Sequence, residues 1–102
     1  MKNYKDVCGN NKCVWFEIAP NEVERFLKWT KKLGCVWING SEIEPDKGSS
    51  YLHFSIHNDG KLACVDMIAW FNKDVKKENI EKYVFSEYLN GIKVNPKSHI
   101  LI

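Results

Sequence analysis

The residues of this chain that could do chemistry are four cysteines, three histidines and scattered carboxylates, and their spacing limits what that chemistry is. Cys8 and Cys13 flank the turn signal Gly9-Asn10-Asn11, which would bring both thiols near each other. Cys35, Cys64, His53, His57 and His99 could complete a tetrahedral metal set with them. Against this, no C-x-x-C occurs, and Cys35 and Cys64 lie inside apolar segments, where cysteine behaves as a small hydrophobe. No metal or other cofactor is expected; a metal, if bound, would take Cys8, Cys13, His53 and His57.

Thiol catalysis depends on one turn. Residues 51–57 alternate, with Leu52, Phe54 and Ile56 on one face and Tyr51, His53, Ser55 and His57 on the other. After Asn58-Asp59-Gly60 the chain returns as residues 61–66. A three-residue loop pairs Phe54 with Cys64 and buries the thiol. A two-residue Asp-Gly turn pairs Ser55 with Cys64 and sets it beside His53, His57 and Asp66, the arrangement that activates a thiolate. The carboxylates Glu42, Glu44 and Asp46, with Asp59, could act as acid and base or hold a hard cation, but turn carboxylates more often cap their own backbone.

A third candidate is a contact surface. Arg25, Lys28, Lys31 and Lys32 neighbour Trp29 on a helix, and aromatics among lysines can stack bases and hold phosphates. The blander alternative is a solvated helix face with one edge aromatic. No P-loop or G-x-G-x-x-G occurs. Four tryptophans are many for 102 residues; the core accounts for two or three, and exposed tryptophan marks contact surfaces.

These residues must be positioned by a small domain. A chain of 102 residues is read as one domain over 1–102, with a lead-in at 1–12 and a tail at 92–102 that packs as an edge strand. A net charge of +2 is small for a protein that lives on phosphate contacts, so direct nucleic-acid binding is not expected. Arg25 is the only arginine, so the remaining basic residues offer point charges rather than bidentate forks. The N-terminal residues lack an apolar signal-peptide core, and no apolar run reaches a membrane-spanning length, which points to a cytoplasmic protein with reduced thiols.

Residues 13–19 read as a strand that Pro20 ends, preceded by a short strand at 4–8. Asn21 and Glu24 read as a capping box for a helix with an apolar stripe at Val23, Phe26, Leu27, Thr30 and Leu33, closed by Gly34. Strands follow at 35–38 and, after Asn39-Gly40, at 41–44; residues 45–50 form a polar loop. Residues 67–71 read as extended or as a short turn. Ile80, Tyr83, Val84, Glu87 and Tyr88 recur at helical spacing, stopped by Asn90-Gly91. The fold predicted is α+β: a mostly antiparallel sheet of four or five strands with two helices, in the order β-α-β-β-β-α. Helices on one face would leave the other open to a partner.

Residues 26–40, an amphipathic helix ending in glycine, then a strand with tryptophan and Asn-Gly, together with the 51–66 hairpin, resemble a pattern in small uncharacterised phage and prophage proteins of low-GC bacteria. The resemblance covers about half the chain and rests on structural residues. It implies an accessory protein of the counter-defence or anti-CRISPR kind, one that binds and blocks a host enzyme. The expectation is a non-catalytic inhibitor in the host bacterial cytoplasm, whose partner is a host protein such as a defence nuclease or effector. Its contact residues would be Arg25, Lys28, Trp29, Lys32, Asp46 and Lys47. The alternatives are a protein that sequesters a nucleotide signal in an aromatic and lysine pocket between protomers, and a small zinc- or thiol-dependent enzyme. A homodimer stays open.

Overall fold

The structure, a computed structural model, describes residues 3–72 and 80–89. The expected helix at 23–33 and the strands at 13–19, 35–38, 51–57 and 61–66 are all present in shortened form, while the short elements around them differ. The chain opens with α1 (Tyr4–Cys8), a helix where a strand was expected. Local chemistry explains it: the Asn3 side chain accepts from the Lys5 amide at 2.8 Å, and the Asp6 carboxylate accepts from the Asn3 amide at 3.1 Å. The capping box therefore lies here rather than at Asn21 and Glu24. After β1 (Cys13–Glu17), Pro20–Glu22 forms a 3-10 turn, and α2 (Val23–Lys32) starts behind Glu22 with no side-chain cap. The proline fixes the backbone one turn earlier than the box would need.

The stripe on α2 is as expected, with Val23, Phe26, Leu27 and Thr30 buried. Then come β2 (Val36–Trp37), a 3-10 turn at Pro45–Lys47, β3 (His53–His57), β4 (Lys61–Cys64), α3 (Met67–Asn72), β5 (Ile80–Val84) and α4 (Phe85–Leu89). No strand forms at 41–44. Residues 67–71 are helical, and Asp66 accepts the Ala69 amide at 2.7 Å at the start of that helix. The helix expected from residue 80 is instead a strand followed by one short helix. Ile80, Lys82 and Val84 alternate with Glu81 and Tyr83, so the segment satisfies both periods, and pairing with β1 decides between them. The expected tail strand at 92–102 lies outside the described residues.

The sheet order is β2-β4-β3-β1-β5. β1 pairs with β5, and β2 with β4, in parallel; β1 with β3, and β3 with β4, are antiparallel. Four strands thus point one way and β3 alone opposes them, so the sheet is mixed rather than mostly antiparallel. Strand, helix, parallel strand is what β1, α2 and β2 require, since a parallel return needs a crossover.

Both faces are packed. Against α2 lie Val14, Phe16, Phe54, Ile56 and Leu62, with Phe85 of α4. On the opposite face Cys13, Trp15, Val65 and Ile80 pack with Trp70 of α3. The expectation of one face left open is corrected: α3 covers part of it. Lys82 of β5, an edge strand among the described residues, points into this second layer, 6% exposed, its ammonium 5.7 Å from the Trp15 ring centre and 5.3 Å from that of Trp70, and donates to the Trp70 carbonyl. Burial pushes its pKa down. An inward charge on an edge strand disfavours edge-to-edge pairing.

Candidate functional site

Two regions hold residues able to recognise something. The first is the outer face of α2. Arg25, Lys28 and Lys32 are exposed there, and the turn Pro45–Lys47, which carries exposed Asp46 and Lys47, packs against the helix. The two sequence-distant elements that carry the expected contact residues therefore pack against each other. The face is zwitterionic rather than basic. Arg25 pairs with Glu22 at 3.2 Å, Lys28 with Glu24 at 3.8 Å and Lys31 with Glu42 at 2.9 Å, while Lys47 pairs with Glu44. Exposed pairs of this kind add little stability, so they are available for exchange with a partner.

Trp29 is half-buried. Its ring lies 5.5 Å from Phe16, 5.3 Å from Phe85 and 5.8 Å from Tyr88 between ring centres. α4 supplies two of these rings, a contribution the helical reading of 80–88 obscured. None of the four tryptophans is fully exposed: Trp15 and Trp70 are buried, Trp29 and Trp37 half-buried. Among the described residues the exposed large apolar ones are instead Ile38, Tyr51, Met67, Ile68 and Leu89.

The second region is the sheet face under α3. There β3 presents His53, Ser55 and His57 as the alternation predicted. The register aligns Cys13 with His57, Trp15 with Ser55 and Glu17 with His53. His53 Nε2 lies 3.2 Å from Glu17 Oε1, and its ring lies tilted against Trp70, 4.7 Å between ring centres. Ser55 Oγ lies 3.0 Å from His57 Nε2. Among the described residues no carboxylate pairs with His57, so serine and histidine stand without the third group that orients a catalytic base. A cleft of about 300 Å³ opens beside this pair, between the sheet and the first turn of α3, with Lys12 at its mouth.

The hairpin turn settles the thiol question. Phe54 pairs with Cys64 and Ile56 with Leu62 across the loop 58–60, which is the three-residue register. Cys64 is therefore paired with Phe54 rather than with Ser55, and it reaches only the lining of the cleft that His57 shares. It is nevertheless exposed, contrary to the burial that register implied, because the short β2 pairs only as far as Leu62. Among the described residues no three of His, Cys, Asp and Glu gather closely enough to hold a metal. Cys8 and Cys13 belong to opposite layers, and the Cys8 thiol donates to the Ile56 carbonyl at 3.4 Å. His99 lies outside the described residues.

Burial pushes the Cys8 thiol up to about 11 and the Cys35 thiol up to about 12, and partial desolvation raises that of Cys64. Raised pKa values suppress the reactive thiolate. Native protein at about pH 8 should thus let a maleimide reach Cys64 slowly and leave Cys8, Cys13 and Cys35 intact until denaturant is added. Mass spectrometry of the labelled chain checks this; rapid native labelling of Cys8 or Cys35 would contradict the packing.

No protein-family model, curated protein or solved structure matches the chain. The fold and these two regions define an α+β domain with a mixed five-stranded sheet, a charged helix face around a half-buried tryptophan, and a small cleft on the far side. Among the described residues no helix is long and apolar enough to cross a membrane.

Proposed function

We propose that this chain is a non-catalytic binding protein of the phage accessory kind, acting in the host bacterial cytoplasm by occluding a defence protein. The observation that carries the reading is the joining of α2 to the Pro45–Lys47 turn. Arg25, Lys28, Lys32, Asp46 and Lys47 are all exposed, on two elements that pack against each other. Rigid presentation limits the ordering cost of association, and mixed charges at a rim favour selectivity and encounter rate. Trp29, half-buried on the same helix, adds apolar area.

Charge reversal tests the surface better than truncating Trp29, whose ring also packs the core. The variant carrying Lys28→Glu, Lys32→Glu and Lys47→Glu should keep its melting temperature within a few degrees and bind a defence nuclease roughly tenfold or more weakly. Size exclusion with purified effectors and inhibition of their cleavage supply the readouts. Undiminished inhibition by the variant would refute the surface, and no inhibition by the unmodified chain across the effectors would refute the function.

A further inference from the structure

The far side of the sheet is organised in rows set by the strand registers. Ile80, Cys13 and His57 form one row; Lys82, Trp15, Ser55 and Ala63 form the next; Val84, Glu17 and His53 form the third. Trp70 of α3 covers the second and third rows, its ring stacked 6.1 Å from Trp15 and tilted 4.7 Å from that of His53. The cleft of about 300 Å³ lies where that cover stops, over the first row and the edge of the second.

Its chemistry is divided. Trp15, Ala63 and Ile80 give apolar walls, while Ser55 and His57 form a polar floor, their side chains 3.0 Å apart. When Ser55 donates to His57 Nε2, the histidine's Nδ1 carries the proton and is free to donate. Lys12 at the mouth is exposed and has no ion-pair partner among the described residues. The one carboxylate in the lining, Asp66, already accepts the Ala69 amide at the α3 end. Apolar walls with a few convergent polar groups are the usual make-up of a ligand site, and this volume falls at the small end of such sites.

We propose that the cleft binds a small planar organic anion, its ring between the Trp15 edge and Ala63 and its anionic group held by Lys12 and His57. Charge-assisted donors favour the anion over its neutral analogue, and the space admits one ring system with one charged group. The inference goes beyond the occlusion reading and does not rest on it, since the cleft and α2 lie on opposite faces of the sheet.

Tryptophan fluorescence and thermal shift of the full chain, titrated with aryl phosphates and with aryl carboxylates, test it and separate the two sources of such an anion. Phenols, aryl amides and inorganic phosphate serve as controls. Saturable binding is expected for at least one of the two anion families, with its neutral analogue bound roughly tenfold more weakly and inorganic phosphate weaker still. Lys12→Glu, an exposed change that leaves the fold intact, should weaken binding roughly three- to tenfold and remove the preference for the anion. Ala63→Phe should fill the space and abolish binding, while Lys28→Glu on the α2 face should change nothing. Absence of saturable binding by both families up to the millimolar range would overturn the proposal. So would affinity that survives both Lys12→Glu and Ala63→Phe, or equal affinity for neutral and anionic members.

Discussion

Replacing Phe16 with alanine is expected to leave the domain on the edge of unfolding at ordinary temperature. Phe16 is fully buried in β1, and five other aromatic rings meet it. The centres of Phe26 and Tyr88 lie 5.6 and 5.1 Å away, those of Trp29 and Tyr83 at 5.5 and 5.9 Å, and that of Phe85 at 6.4 Å. These rings come from α2, β5 and α4, so one side chain ties three elements to a central strand. Truncation removes transfer energy and leaves a cavity whose walls are held by the sheet, at a cost of about 3–5 kcal/mol. A domain of this size has about 5–15 kcal/mol in total, and each kcal/mol moves its melting temperature by roughly 4–8 °C. A drop of roughly 12–40 °C in a circular-dichroism melt follows. Near-ultraviolet signal from Trp29 should weaken first, because its ring loses the neighbour that sets its angle. A drop below about 5 °C would mean that the aromatic cluster does not have this arrangement.

What was legible in the sequence divides along local and non-local lines. The α2 stripe and the alternation in β1 and β3 are properties of a few consecutive residues, and both were readable. So was the sharing of one face by His53, Ser55 and His57. Residues 80–84 were not, because Lys82 reads as a solvated helix residue until Trp15 and Trp70 are known to enclose it. α1 was missed although Asn3 and Asp6 carry the cap signature; five residues give too little periodicity to set against a strand of β-branched and aromatic types. The parallel pairs were not readable, since β1 with β5 and β2 with β4 join strands far apart in the chain. The surface on α2 was accessible to sequence reasoning because the helix supplies most of it. The cleft was not, because β1, β3, β4, β5 and α3 each bring one or two residues to it, and only the register aligns them.

The same non-local logic makes Gly60→Ala the second large effect. Gly60 closes the β3–β4 turn at φ +88°, and a Cβ there would stand 2.9 Å from Tyr4 Cε1 and 3.0 Å from Cζ. The backbone angle alone costs an L-residue about 1–2 kcal/mol. Tyr4 cannot yield freely: its amide donates to the Leu33 carbonyl at 3.2 Å, and its ring also lies against Gly34, clipping α1 to the end of α2. Strain and clash together should cost about 2–4 kcal/mol, or a melting temperature lower by roughly 8–30 °C. With Tyr4→Ala as background, the same substitution should cost only its torsional part, about 1–2 kcal/mol, so a four-variant cycle of melts isolates the contact. Strict additivity across that cycle would refute the contact. The turn also reaches the cleft, for the Asn58 amide donates to the Lys12 carbonyl at 3.0 Å. Displacing Gly60 should therefore move the lysine at the mouth, and ligand affinity should fall in the glycine variant even at temperatures where it stays folded.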